Sequence, residues 1–414
     1  MGKLIGNAIF GQSGGPTSVI NASAAGVFSE ALLQTGVIEK VYGAANGIVG
    51  ILNEKFYDMG QEDPAEIELL KTTPSSALGS CRYKLAKLED DDTDYQRLLE
   101  VFRKYNIRYF FYNGGNDSMD TCNKISKFLQ QSEYECRVMG VPKTIDNDLF
   151  GTDHCPGFSS AAKYIATTFM EVYLDARVYD TGMITVVEVM GRNAGWLTAS
   201  AALAAYKGYG PDLIYLPEIN FNLDGMLEDV RKVFAKDKKV IIAVSEGVKT
   251  VDGKYIPELV GEVSTDAFGH KQMGGTASVL ADYLKDKIGC KVRAIELSLM
   301  QRCAAHLASK SDVDESFLAG QTAVRCAVDG MTDFMVGFHR PETGPYACEI
   351  KLIALKEVAN AEKTVPLEWI NDEGNFVNQH FIDYALPLIQ GESRIALEDG
   401  MPRWAKLKKV LATK

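Results

Sequence analysis

The apolar positions of this chain fall in short β-branched or aromatic runs, each followed by glycines and then by a helical spacing. Leu4–Phe10 leads into Gly11–Ser18 and a helix through Leu33, and Arg108–Tyr112 leads into the Gly114–Gly115 turn and a helix to about Gln130. Val138–Val141 is a third run, ended by Pro142, which lacks the amide hydrogen a ladder needs. Met183–Val189, Lys239–Val244 and Val292–Leu299 make a second set. Continuous apolar runs of this length predict strands buried on both faces of a parallel sheet. Their alternation with helices predicts an α/β fold. Towards the end, Lys351–Ala359 reads as a helix and Gly391–Lys414 as a charged, partly helical tail.

Length then changes the picture. A chain of 414 residues is long for one core, so two packed lobes are expected. With 44 basic against 55 acidic residues the net charge is −11, which excludes coating nucleic acid or an anionic membrane as the main task. Small anionic substrates stay open, because a few basic side chains in a cleft set the local field. No apolar run approaches the ~20 residues that cross a bilayer. The N-terminal run meets a glycine loop at once and reads as a first strand rather than a secretion signal. Eight cysteines with no Cys-x-x-Cys pair read as free thiols of a reducing compartment. The expectation is a soluble cytoplasmic protein. Glu89–Asp92 and Lys236–Lys239 read as solvated surface, and His154, His270, His306, His339 and His380 lie outside every motif below.

Four segments carry candidate chemistry, and each follows a predicted strand, where open parallel sheets bind ligands. In Gly14-Gly15-Pro16-Thr17-Ser18, with Asn21 further on, paired glycines let backbone amides approach an anion at a helix N-terminus. In Gly114-Gly115-Asn116-Asp117-Ser118, Ser118 or Asp117 can cap the next helix, or Asn116 or Asp117 can face a metal-bound phosphate. Pro142-Lys143-Thr144-Ile145-Asp146-Asn147-Asp148 places Thr144, Asp146 and Asp148 two apart, which in an extended segment gives them one face. A carboxylate there can take a proton from a hydroxyl while a neighbour helps hold a metal. In Met190-Gly191-Arg192, the guanidinium can fork onto a phosphate. Glu246, in Ser245-Glu246-Gly247, can accept sugar hydroxyls, and Arg293 and Arg302 can clamp a phosphate.

In chain order these segments resemble the 6-phosphofructokinase family, most specifically through Thr144-Ile145-Asp146-Asn147-Asp148 followed by Met190-Gly191-Arg192. The resemblance implies two lobes with Rossmann-like parallel-sheet cores and an active site in the cleft between them. It implies transfer of a phosphoryl group to O1 of fructose 6-phosphate with Mg²⁺, in a homo-oligomer (dimer or tetramer) with no nucleic-acid or membrane partner. Residues 1–158 would form a large lobe with the phosphoryl-donor site and 159–300 a smaller lobe with the sugar-phosphate site. Residues 301–414 would return to both.

By the same resemblance Asp146 is the general base, Thr144 lies beside the transferred group, and Arg192 stabilises the transition state. Met190, Gly191, Glu246, Arg302 and Arg293 would bind the sugar phosphate, Arg293 by reaching in from a second subunit. Gly15, Arg82, Gly115 and Ser118 would contact the donor, and Asn116 the metal. ATP-using members carry glycine where this chain has Asp117 and Lys143. A carboxylate and an ammonium there fill the room of a nucleotide's phosphates, which resembles the pyrophosphate-dependent branch. Three positions depart from the family: Asn116 replaces an acid, Leu299 a histidine and Met183 an arginine. The alternatives are an ATP-dependent member in which Asp117 only caps its helix, and a non-catalytic sugar-phosphate sensor.

Overall fold

The computed structural model describes residues 4–260, 275–341, 343–359 and 361–413. His270 lies outside them. The chain divides into two compact units, Met1–Gly157 with Ala305–Glu362 and Gly391–Lys414, and Phe158–Ala304 with Lys363–Gln390.

The first unit is built on a seven-stranded sheet. Its strands are β1 (Gly6–Gln12), β2 (Ile38–Ala44), β3 (Phe56–Asp58), β4 (Ile107–Gly114), β5 (Arg137–Pro142), β10 (Phe334–His339) and β11 (Glu349–Ala354), in the order β11-β10-β5-β4-β1-β2-β3. The five inner strands run parallel, and the edge strands β3 and β11 run antiparallel to their neighbours. Alternate residues of the central strands feed two separate apolar layers. Ile9, Phe110 and Tyr112 point into one, and Ala8, Phe10, Tyr109 and Phe111 into the other. In the second layer the helices Ile20–Leu33 and Lys310–Val328 pack backbone to backbone. A Cβ on Gly26 would lie 2.1 Å from the Phe317 carbonyl oxygen, and one on Gly320 2.1 Å from that of Ser23.

Three local expectations are corrected here. Lys351–Ala359 is not a helix: its first half is strand β11, in antiparallel register with β10, and only Leu355–Val358 is helical. The alternating exposed and half-buried residues of β11 suit an edge strand. The described residues of Gly391–Lys414 hold no helix. Leu397–Glu398 (β12) and Met401–Pro402 (β13) form a hairpin, and the chain then runs extended against the sheet's β3 edge. The Glu62 carboxylate accepts the Lys408 and Lys409 amides at 2.7 and 2.8 Å, and Glu66 accepts the Lys406 amide and Arg403. Lys239 is buried rather than solvated, and its ammonium donates to the Tyr179 carbonyl at 2.6 Å.

The second unit holds a four-stranded parallel sheet, β6 (Met183–Val189), β7 (Leu213–Tyr215), β8 (Lys239–Ser245) and β9 (Lys291–Glu296), in the order β7-β8-β6-β9. Every residue of β6 and β8 is buried. The run Val292–Leu299 departs from the expectation of a buried strand. It leaves the sheet after Glu296, and none of the six residues of β9 is fully buried, because β9 is an edge. Residues 363–390 are anchored by aromatic packing, with the Trp196 ring 5.1 Å from Tyr384 and 5.9 Å from Trp369.

Candidate active site

In the first unit, β1, β4 and β5 are neighbours and run parallel, so the three loops that leave their carboxyl ends lie side by side. The first loop turns at Gly14, whose φ of +76° favours glycine. The Gly14 amide donates to the Cys81 carbonyl at 3.0 Å, which sets Arg82, an exposed residue, next in chain to the loop's anchor. Asn21 serves the fold instead of an anion. Its amide group donates to the Thr73 carbonyl and its oxygen accepts from Gln12 and the Ala77 amide.

The second loop leads into the helix Asn116–Gln131, whose capping position is Gly115 and carries no side-chain cap. The helix thus starts earlier than a cap by Asp117 or Ser118 requires. Asp117 stands exposed in its first turn, and Ser118 is buried, its hydroxyl packed under Gly114, where a Cβ would lie 2.0 Å from Oγ.

The third loop crosses to both others. The Lys143 amide donates to the Gly114 carbonyl at 3.0 Å, and its ammonium donates to the Gly15 carbonyl at 2.6 Å. Thr144 bridges to Gly157 as an isolated parallel pair, and its hydroxyl accepts the Asp146 amide at 3.1 Å. The segment is not extended, as its spacing suggested. It bends at Ile145–Asp146 and passes through Asn147 at φ +57°, a left-handed geometry that asparagine tolerates. The bend still gathers the three polar residues. Asp148 accepts a hydrogen bond from Thr144, and its carboxyl is pushed up to about 7 by burial first and by the Asp146 charge second.

The Asn116 amide donates to Asp148 Oδ2 at 3.0 Å. The other oxygens of that pair, Asn116 Oδ1 and Asp148 Oδ1, are both buried without a partner. Two orphaned oxygens beside a second carboxylate fit a hard cation with oxygen ligands such as Mg²⁺.

In the second unit, β8, β6 and β9 are likewise adjacent and parallel. Gly191 has φ +128°, and a Cβ there would lie 2.5 Å from the Ala194 carbonyl oxygen. The Ser245 hydroxyl donates to the Gly191 carbonyl at 2.6 Å and accepts the Gly247 amide at 3.0 Å. A Cβ on Gly247 would lie 1.9 Å from the Arg192 carbonyl oxygen, so these two loops touch through their backbones. Burial pushes the Glu246 carboxyl up, against the nearby Arg192 charge and a 3.4 Å bond from the Gly191 amide. Arg192 Nε is buried without a partner. Gln301 accepts the Met190 amide at 3.2 Å, which ties the turn bearing Arg302 to the same loop.

The two units therefore gather most of the sequence-derived residues into one group each. Gly15, Gly115, Asn116, Lys143, Thr144 and Asp146 stand together in the first, and Met190, Gly191, Arg192 and Glu246 in the second. Arg293 is apart. It sits mid-strand on β9 opposite Thr185, facing a hollow also lined by Glu171, Asp175 and Ile295. Sequence reasoning left out Asp148 as a partner of Asn116, and Ser245 and Gln301 as fasteners. Ser245 lies in the segment Ser245-Glu246-Gly247, and Gln301 directly precedes Arg302.

Anion-accepting loops and carboxylates at the carboxyl edges of open α/β sheets are what phosphoryl transfer between small molecules needs, and fold and site together fit that class of enzyme. Comparison with known proteins narrows the class. Residues 7–296 match the family described as Phosphofructokinase, and the chain belongs to that family. The pyrophosphate–fructose 6-phosphate 1-phosphotransferase of Halomonas elongata is 44% identical over 406 residues, 97% of this chain and 96% of that protein. Its namesake from Methylococcus capsulatus is 42% identical over 411 residues, 99% and 97% of the two chains. The crystal structure of a pyrophosphate-dependent phosphofructokinase from Marinobacter aquaeolei matches with a TM-score of 0.89 at 40% identity, covering 99% of this chain and 98% of that one.

Proposed function

We infer that this chain transfers a phosphoryl group from inorganic pyrophosphate to O1 of fructose 6-phosphate, giving fructose 1,6-bisphosphate and phosphate in glycolysis and its reversal. The observation that carries the donor choice is the Lys143 ammonium held against the Gly15 carbonyl, one loop away from exposed Asp117. A fixed cation and a fixed anion at these places suit a small, highly charged donor and leave no room for a nucleoside's further phosphate.

The roles follow residue by residue. Asp146 takes the proton from the sugar's 1-hydroxyl as oxygen attacks phosphorus in line, with Thr144 beside the transferred group. Lys143 holds the charge that develops on the leaving phosphate, and Arg192, whose Nε lacks a protein partner, holds that on the transferred group. Gly15, Gly115, Arg82 and Ser118 border the donor. Asn116 Oδ1 and Asp148 Oδ1, with Asp146 near, would hold Mg²⁺, which would supply charge neutralisation on the donor. Glu246, poised by burial towards its neutral form, meets sugar hydroxyls alongside Met190 and Gly191, and Arg302 meets the 6-phosphate.

Arg293 belongs to a contact between copies of the chain. It lies on an exposed edge strand, and edges of this kind are covered in stable proteins. A homo-oligomer acting in the cytoplasm is the assembly that follows. Among the described residues no helix is long and apolar enough to cross a membrane.

The test is a coupled assay of purified protein with fructose 6-phosphate and Mg²⁺, offered pyrophosphate and ATP separately. Turnover with pyrophosphate alone is expected, together with the reverse reaction from fructose 1,6-bisphosphate and phosphate. Turnover with ATP and none with pyrophosphate would overturn the reading.

A further inference from the structure

His154 lies outside every motif of the sequence, yet it is 1% exposed and both its ring nitrogens meet carboxylates. Nδ1 lies 2.8 Å from Asp153 Oδ2, and Nε2 lies 2.8 Å from Glu315 Oε2. Cys348, just before β11, completes a group in which one ligand atom each from His154, Glu315 and Cys348 lie within 4.8 Å of one another. The three come from three separate segments of the first unit: the loop after Leu149, the helix Lys310–Val328 and the approach to β11.

We propose that His154, Glu315 and Cys348 bind one zinc-class divalent cation, at a site built from none of the residues assigned to phosphoryl transfer.

The surroundings have the form that such a site needs. A metal-bound histidine donates its second ring N–H to a carboxylate or carbonyl, which fixes the tautomer and aims the other nitrogen. Asp153 fills that place at Nδ1, and Arg340 donates to the same Asp153 oxygen at 3.0 Å, which balances its charge. Tyr346 donates to Glu315 Oε1 at 2.5 Å, which leaves Oε2 to face His154. With Asp153 paired to Arg340, an ionised Glu315 and a thiolate at Cys348 together match a charge of +2.

The dimensions are close. Tetrahedral zinc with bonds of roughly 2.0–2.1 Å to nitrogen and oxygen separates those ligands by about 3.3 Å. The His154–Glu315 gap must therefore open by about half an ångström. With a zinc–sulfur bond of about 2.3 Å, the thiol, no more than 4.8 Å from the other two ligand atoms, would come to about 3.5 Å from them. Before the cation enters, the proton on His154 Nε2 and the thiol hydrogen occupy its place. Binding releases both to solvent, and a water takes the fourth position.

The test uses the full chain, stripped with a chelator and kept in excess Mg²⁺ so that oxygen-only sites are filled. Zinc is titrated in competition with a chromophoric chelator, and cobalt(II) serves as an absorbing probe. One equivalent of zinc should bind with a Kd of about 1 μM or tighter, and the cobalt form should show a thiolate-to-metal charge-transfer band that Cys348→Ser abolishes. Asp153→Asn should weaken zinc by roughly 10–100-fold. A folded wild-type protein with no thiolate band overturns the proposal, and so does zinc affinity unchanged in both His154→Asn and Cys348→Ser. Should those variants not fold, the wild-type cobalt spectrum decides alone. Its failure would leave the pyrophosphate assignment standing, because the two share no residue.

Discussion

Lys143 donates its ammonium hydrogen to the Gly15 carbonyl oxygen across 2.6 Å, and the residue is only 3% exposed. The contact joins the loops after β1 and β5 and fixes a positive charge beside the first glycine turn. Lys143→Ala should lower turnover with pyrophosphate on the order of 10²–10³-fold, the range for deleting one donor that stabilises developing charge. Steady-state rates at saturating substrates, with an unchanged thermal transition as the control for folding, check this.

Asp146 is held by its own amide, which donates to the Thr144 hydroxyl at 3.1 Å, so its carboxylate is placed by backbone as well as by sequence. Asp146→Ala should cost on the order of 10²–10⁴-fold in the forward rate. Near-normal turnover in that variant would remove Asp146 from the role of base.

Asp117 is exposed in the first turn of its helix and caps nothing. Replacing it should therefore leave the fold intact and act on donor choice. Asp117→Gly is expected to raise kcat/KM for ATP relative to that for pyrophosphate. Parallel assays with both donors read this ratio, and an unmoved ratio would count against the carboxylate as the block.

Asp148, pushed up to about 7, keeps a proton in the folded protein that the unfolded chain has already released at lower pH. Stability from the protonated form is thus present below the ordinary aspartate range and is lost as pH rises through about 7. The slope is at most ~1.4 kcal/mol per pH unit for one such group. Glu188, also pushed up to about 7 by burial, adds a slope of the same sign. Without Mg²⁺, the denaturant midpoint should fall between about pH 4 and 7, and Asp148→Asn should flatten part of that fall. Midpoints measured across this range for both proteins decide it.

Glu62 accepts two consecutive backbone amides from the C-terminal segment. Glu62→Ala leaves both to solvent and should destabilise the first unit by about 1–3 kcal/mol. Limited proteolysis should then cut the segment after β13 earlier than in the wild type.

Much of this was legible beforehand, for definite reasons. β1, β4, β5, β6 and β8 are buried in parallel sheets, so their sequences are largely apolar runs, and all but β5 meet a glycine at or just past the carboxyl end. β2 was not legible, because Glu39 and Lys40 interrupt it at its exposed end. β11 reads as helix in the sequence because an edge strand followed by a single helical turn blurs the two periods. The tail's extended course depends on Glu62 and Glu66, more than 300 residues away in sequence, and no local signal carries that. Within the site, residue types and spacing pointed to Lys143 and Asp146. Only the folded chain brings about the Gly15 contact, the left-handed turn at Asn147 and the pairing of Asn116 with Asp148.

The backbone leaves the first unit after Gly157, returns at Ala305, leaves again after Glu362 and returns at Gly391. Neither body can be cut out and produced as one uninterrupted stretch of gene. During synthesis the sheet begun by β1 must wait for β10 and β11, which are made only after Phe158–Ala304 of the other body. The usual order, in which an amino-terminal body folds while the rest is still being made, is thereby closed to this chain.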